Sequence, residues 1–452
     1  MSGLLGIGTS ALLANQRALA VTGNNIANAN TEGYSRQRVD FSARHVPGQM
    51  LGQGVESGLI ERYTDSFANQ RLTQSVSSHA SVASGADLAG RLDLLLSDPA
   101  TGLSDPLRAF VDAVDAWAAD PNATETRVQL LGQAETMAQR FGQVQDGLDS
   151  FTQEINTRVG GAVDRINTLS QNIAELNDQI ALNGGLGSGQ QPNGLLDERD
   201  RLVNELASLI DVQTVPQDDG SLNVMVGNGQ GLVVGKQTSL IGIEPGATPV
   251  DPVSVTVAGS DISAQISGGE LGGLMAFRRD VLEPVQQDLS ALAQGLADTV
   301  NAAQAAGVDA SGVAGTALFA TSPPLARLEV LLDDPQALAS APAGAAAGSG
   351  DNSNALALAG ALRGPAVNGL SLQDAHVALV SGVGSSARRL EATETAEAAL
   401  MANNLELRDA VSGVNLDEEA ANMLRYQQAY QAAAQIIATA NEMFESLLAA
   451  AR

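Results

Sequence analysis

The chain has 452 residues, 44% of them hydrophobic, a net charge of −27 and no cysteine. Its length fits two to four domains at roughly 100–200 residues each, and its acidity excludes a nucleic-acid partner, whose phosphates need a basic surface. The missing thiols exclude disulfides, thiolate metal sites and cysteine nucleophiles. Aromatic residues make up only 3% of the chain, which favours closely packed helices over a large aromatic core.

The N-terminal segment has no basic stretch followed by an unbroken apolar run, so no Sec-type leader is read there. No window reaches the ~18 consecutive apolar residues that membrane insertion needs. Between Met1 and Thr31 the only charged side chain is Arg17, and between Arg425 and Glu442 there is none. A helix in water normally carries a charged face. Both ends therefore read as helices covered by other protein. Leu5, Leu12, Leu19 and Ile26 recur every seven residues. At the other end Met423, Tyr426, Tyr430, Ala433, Ile437, Ala440, Phe444 and Leu447 alternate steps of three and four, the spacing of a coiled-coil seam. One stripe can serve the other.

Between the ends, Ser66 to Leu182 reads as helix broken at Asp98-Pro99 and Asp120-Pro121. Its last ~40 residues, with apolar positions from Phe141 to Ile180, predict a rod roughly 60 Å long. A second helix is read over about Asp197 to Ile210. Short strand-like runs then alternate with turn signals such as Asp219-Gly220 and Gly227-Asn228-Gly229, up to Ser267. Helix returns near Leu274, a further strand is read at Leu328–Leu332, and Ala337 to Gly350 reads as loop. Helices resume at Asn354–Leu362 and about Leu372–Asn404. The fold class is mainly α with an inserted β domain, nested and multi-domain, with paired N- and C-terminal helices and a long helical bundle.

The segment Asn24-Asn25-Ile26-Ala27-Asn28-Ala29-Asn30-Thr31-Glu32-Gly33-Tyr34-Ser35-Arg36-Gln37 resembles the N-terminal signature of flagellar rod, hook and hook-associated proteins. Its ending is similar to the form found in the hook-associated protein 1 family. Asparagines that bond to nearby backbone can end the helix, Gly33 supplies positive φ, and Tyr34 can anchor the departing chain. Gly52 to Tyr63, Ile166 to Asp200, Gly350 to Leu358 and Gly413 to Ala432 also resemble that family, in order. Two departures stand out: the middle is short, so an outer domain is reduced or absent, and Gln304 occupies a position where histidine is expected.

The resemblance implies an axial flagellar subunit and no enzyme. It would be exported unfolded by the flagellar type III apparatus, end up extracellular, and form the junction between hook and filament. Its implied partners are further copies of itself, hook protein, hook-associated protein 3 and a flagellar export chaperone, without membrane insertion. Implied domains are a terminal pair (1–34 and 410–452), a strand-turn linker (35–65), a helical core (66–210, 271–307 and 350–409), a β domain (211–270) and a short strand/loop insert (308–349). The assembly interface falls on Leu5, Leu12, Leu19, Ile26, Asn28, Gly33, Tyr34, Met423, Tyr426, Tyr430, Ile437, Phe444 and Leu447. The low charge of both end helices also suits the wall of a channel that must not bind export cargo.

Other chemistry is weaker. His45, His79 and His376 lack zinc-site spacing. Gly227 to Gly231 lacks the dinucleotide-binding spacing and reads as a hairpin. Asp197, Glu198 and Asp200 interleave with Arg199 and Arg201 at a helix start, where acidic residues favour the helix dipole. There is no Gly-x-Ser-x-Gly elbow, and Asn122-Ala123-Thr124 is a chance sequon. The competing readings are another axial subunit (hook, distal rod or filament) and a secreted hydrolase with a helical stalk, for which no catalytic set is visible.

Overall fold

The computed structural model describes residues 2–44, 54–185, 191–227, 229–322 and 327–450. Helix α1 (Ser2–Ala27) leads into an antiparallel hairpin of β1 (Gln37–Ala43) and β2 (Val55–Arg62). Helices α2 (Ser66–Ser97), α3 (Ser104–Ala119), α4 (Thr124–Gly185) and α5 (Asn193–Leu209) follow. Asp65 starts α2 by accepting from the Phe67 and Ala68 amides, the usual satisfaction of orphan helix donors. The 62 residues of α4 make a rod about 93 Å long at 1.5 Å per residue. It is longer than the apolar stripe from Phe141 implies because its first turns pack through Leu130, Ala134 and Met137, all buried.

Seven short strands hang beside this rod. β3 (Val212–Pro216), β4 (Leu222–Val226), β5 (Gln230–Val234) and β6 (Gln237–Thr238) form one antiparallel sheet in chain order. β7 (Ile241–Glu244), β8 (Ser254–Val257) and β9 (Ser260–Asp261) form another. Helix α6 (Gly269–Phe277) passes through a π-helical turn, Arg278–Leu282, into α7 (Glu283–Ala306). It begins before Leu274 because glycines let it press onto α2. A Cβ at Gly273 would meet the Ser81 carbonyl oxygen at 2.1 Å, a contact only glycine permits. Four small strands, β10 (Gly307–Val308), β11 (Phe319–Ser322), β12 (Arg327–Val330) and β13 (Ala341–Pro342), pair as β10–β13 and β11–β12. Helices α8 (Ser353–Arg363), α9 (Leu372–Ser412) and α10 (Leu416–Ala450) complete the chain. α9 runs eight residues beyond the Asn404 read from sequence, to Ser412.

The main apolar cluster runs from Leu88 to Val383 and includes no residue of α1 or α10. The terminal helices pack on each other and on the β1–β2 hairpin instead.

Strands are tied to helices by a repeated device. Asn25 of α1 accepts from the Gln37 amide at 3.0 Å and donates to the Gln37 carbonyl at 2.9 Å. Asn167 of α4 does the same to Ile241 at 2.9 Å each way. Asn177 pairs with Leu222, and Asn301 of α7 pairs with Phe319. In each case the gripped residue is the first of its strand: β1, β7, β4 and β11. The amide side chain thus answers two backbone groups that the sheet edge leaves open.

Candidate assembly site at the paired termini

The termini meet as an antiparallel pair, with Asn25 beside Glu419 at the root and Gly8 against Ile437 further out. On α10, Ala433 and Ala440 are buried, and Met423, Tyr426, Tyr430 and Ile437 are half-buried. Phe444 and Leu447 are exposed, beyond the reach of α1. On α1 the side buried against its partners is made of Gly8, Ala14, Ala18, Val21, Thr22 and Asn25. Leu5, Leu12, Leu19 and Ile26 lie half-buried on its flank. The every-seven leucine repeat is therefore not the centre of the contact. Small residues occupy the centre because they let the helices come close.

The signature turn does what its residues allow. After α1 ends, the Asn28 amide nitrogen Nδ2 donates to the Asn24 carbonyl at 2.9 Å, and its Oδ1 accepts from Thr31 Oγ1 at 3.2 Å. Gly33 takes φ +80° with the Arg201 side chain 3.4 Å from where a Cβ would sit, so a larger residue would be strained there. The Tyr34 hydroxyl donates to Asn25 Oδ1 at 2.8 Å and accepts from Asn24 Nδ2 at 3.1 Å. Burial, with Asp197 nearby, pushes its pKa up to about 12.

Three groups essential to this site lie outside the residues singled out from sequence. Glu419 accepts from Asn25 Nδ2 at 3.1 Å and from Arg36 Nε at 2.8 Å. Arg36 also reaches Glu418 at 2.7 Å, and its backbone amide donates to the Ser412 carbonyl at 2.8 Å. Arg62, at the end of β2, bridges Asp197 at 2.7 Å and Asp200 at 3.1 Å on α5. Asn193 donates to the Ile60 carbonyl at 3.0 Å. The signal for Glu419 was its place one step before Met423 on the α10 stripe, overlooked because periodicity counts apolar residues.

The Asp197–Asp200 run is a clamp for the hairpin, with a different cause from the helix dipole read in sequence. Because α5 starts at Asn193, these carboxylates sit past its first turn. Arg199 is buried, which lowers its pKa, and it donates to the Gly220 carbonyl at 2.7 Å. Of the histidines, His45 lies outside the described residues. His79 approaches Glu394 at 3.7 Å, and His376 is buried beside Ser104 with its pKa lowered by that burial. Gln304 is buried and accepts from the Ala339 amide at 3.0 Å, a backbone-satisfying role. The 227–231 turn joins β4 to β5 as a hairpin, with Asn228 outside the described residues. Among the described residues no helix is long and apolar enough to cross a membrane.

The model of the flagellar hook-associated protein FlgK helical domain matches residues 89–319. The flagella basal body rod protein model matches residues 5–34, and the flagellar basal body rod FlgEFG protein C-terminal model matches residues 409–450. Flagellar hook-associated protein 1 of Salmonella typhimurium is 28% identical over 552 aligned positions, covering 99% of this chain and 100% of the relative. That of Escherichia coli is 26% identical with the same coverage, and that of Bacillus subtilis is 28% identical, covering 97% of this chain and 96% of its own. The solved flagellar hook junction protein FlgK from Burkholderia pseudomallei superposes with a TM-score of 0.68 at 20% identity, covering 76% of this chain and all of that one. With its helical domain matched over half the chain and both termini matched to rod-protein ends, this protein belongs to the flagellar hook-associated protein FlgK family.

Proposed function

We propose that the chain is the structural subunit joining flagellar hook to filament, exported unfolded by the flagellar type III system and polymerising outside the cell through its terminal helices. The observation that carries this reading is the α1–α10 pair itself. It stands off the main apolar cluster, has no charge between Arg425 and Glu442, and leaves Leu4, Leu13, Leu424, Ile436, Phe444 and Leu447 exposed. Burying a side chain of that size contributes about 1.5–3 kcal/mol, and repetition around a tube multiplies the gain. Its partners are other copies, hook protein below, hook-associated protein 3 above, and an export chaperone before secretion.

The domain plan that goes with this function is a terminal pair (1–34 and 410–452), a linker hairpin (35–65), a helical core (66–210, 271–307 and 350–409), a β domain (211–270) and a small insert (308–349). Gln427 and Gln431 are exposed on α10, which suits an uncharged channel wall. Arginine at either position is then expected to slow filament growth, and normal growth would count against that role. The function as a whole is tested by deleting the gene. Hooks should form without filaments, with flagellin lost to the medium; filaments of normal length and number would refute it.

A further inference from the structure

The α1–α10 pair is held by two unlike kinds of contact. Along most of its length the seam is thin. Among the described residues its fully buried apolar side chains are Ala14, Ala18, Val21, Ala433 and Ala440, which remove little apolar surface from water. Beyond Ala440 every residue to Ala450 is exposed.

At the root the chemistry changes. Asn25 is 1% exposed and Glu419 is 2% exposed, the one amide and the one charged side chain buried in the described parts of these two helices. Asn25 Nδ2 donates to Glu419 Oε2 at 3.1 Å, and Arg36 Nε donates to Glu419 Oε1 at 2.8 Å. The rest of the Asn25 amide is taken by Gln37 and Tyr34. One carboxylate thereby ties together α1, the segment before β1, and α10. Both residues lie on the seam: Ala14, Ala18, Val21 and Asn25 step by four, three and four, and Glu419 extends the stripe of Met423, Tyr426 and Tyr430. A polar residue at such a position specifies how two helices meet. Removing either partner leaves a buried polar group unanswered, which a thin seam cannot offset.

We propose that Glu419, gripped by Asn25 and Arg36, is a latch that decides whether α10 lies on α1. Closed, it seats the root of α10 in one place; open, it frees the whole helix to pack elsewhere. The core does not depend on the latch, because the main apolar cluster includes neither helix. The latch is a property of the single chain. Only its use, to release α10 toward a neighbouring subunit, rests on the assembly reading above, so the test is made on the monomer.

Absence of cysteine makes the full chain convenient for paired spin labels at Gln16→Cys and Gln428→Cys, both exposed on their helices. The parent should give one narrow distance distribution. In Glu419→Ala and in Asn25→Ala the distribution should broaden, and amide exchange across 420–440 should speed at least about tenfold as the helix opens locally. Trp117, the single tryptophan and 1% exposed in the core, should keep its buried emission. A narrow parent-like distribution in both alanine variants overturns the latch. So does loss of the buried Trp117 emission together with α10, which would make Glu419 an ordinary part of the global fold. Both readouts are independent of polymer formation, so a failed latch and a failed assembly reading are distinguishable.

Discussion

Tyr34 carries the clearest residue-scale consequence of this arrangement. Burial raises its pKa, as does Asp197, to about 12. Its folded value lies above the unfolded value near 10, so its contribution is fully present below pH 10 and lost as pH rises toward 12. Titrating tyrosinate absorbance should therefore show one of the four tyrosines ionising late, and Tyr34→Phe should remove that late step. Four tyrosines titrating together near pH 10 would contradict the burial of this hydroxyl. Gly33 and Tyr34 were legible in sequence, because a glycine and an aromatic after an asparagine-rich helix end have few other uses. The Asn25–Glu419 contact was not. Its partners stand 394 positions apart, and nothing local in either segment demands the other. Arg62 was hidden similarly, since its acceptors Asp197 and Asp200 had an adequate local explanation at a helix start.

Helices and strands divide by how local their causes are. The long helices were readable from apolar spacing and from the Asp-Pro breaks, and their errors lie at ends where small residues do the packing. α6 is the plain case: Gly269, Gly272 and Gly273 look like loop, yet they are what lets the helix touch α2. The strands are short and depend on helix asparagines for their placement, which no strand pattern announces. Asn167→Ala leaves both backbone groups of Ile241 without their partner, a loss of about 1–3 kcal/mol for groups of this kind. Hydrogen exchange should show β7 and β8 loosening while α4 stays protected; unchanged exchange at Ile241 would mean the clamp is incidental. The tip of α10 behaves oppositely. Phe444→Ser combined with Leu447→Ser should change monomer stability by no more than about 0.5 kcal/mol, since both side chains are exposed. The same change should abolish filament attachment in motile cells. A destabilised monomer with normal filaments would reverse that assignment.

At the scale of the whole molecule, the order of parts follows from where the chain returns. α10 comes back to α1, α9 lies along α2, and the strands sit between α5 and α6. Composition and charge pointed to a chain whose ends differ from its middle, and the structure locates that difference in a terminal pair outside the main core. The relatives align over 552 positions against 452 residues here, which accords with a shortened middle and intact ends. Polar contacts dominate the joint between the pair and the core, with Arg62 gripping α5 and Arg36 gripping the start of α10. Such a joint can turn without exposing much apolar surface.

A density map of the assembled hook–filament junction tests the central claim most directly. The expected result is α1 and α10 lying side by side in the tube wall, with Phe444 and Leu447 covered by adjacent subunits. Terminal helices that project into solvent untouched by any neighbour, or that lie apart from each other, would contradict it.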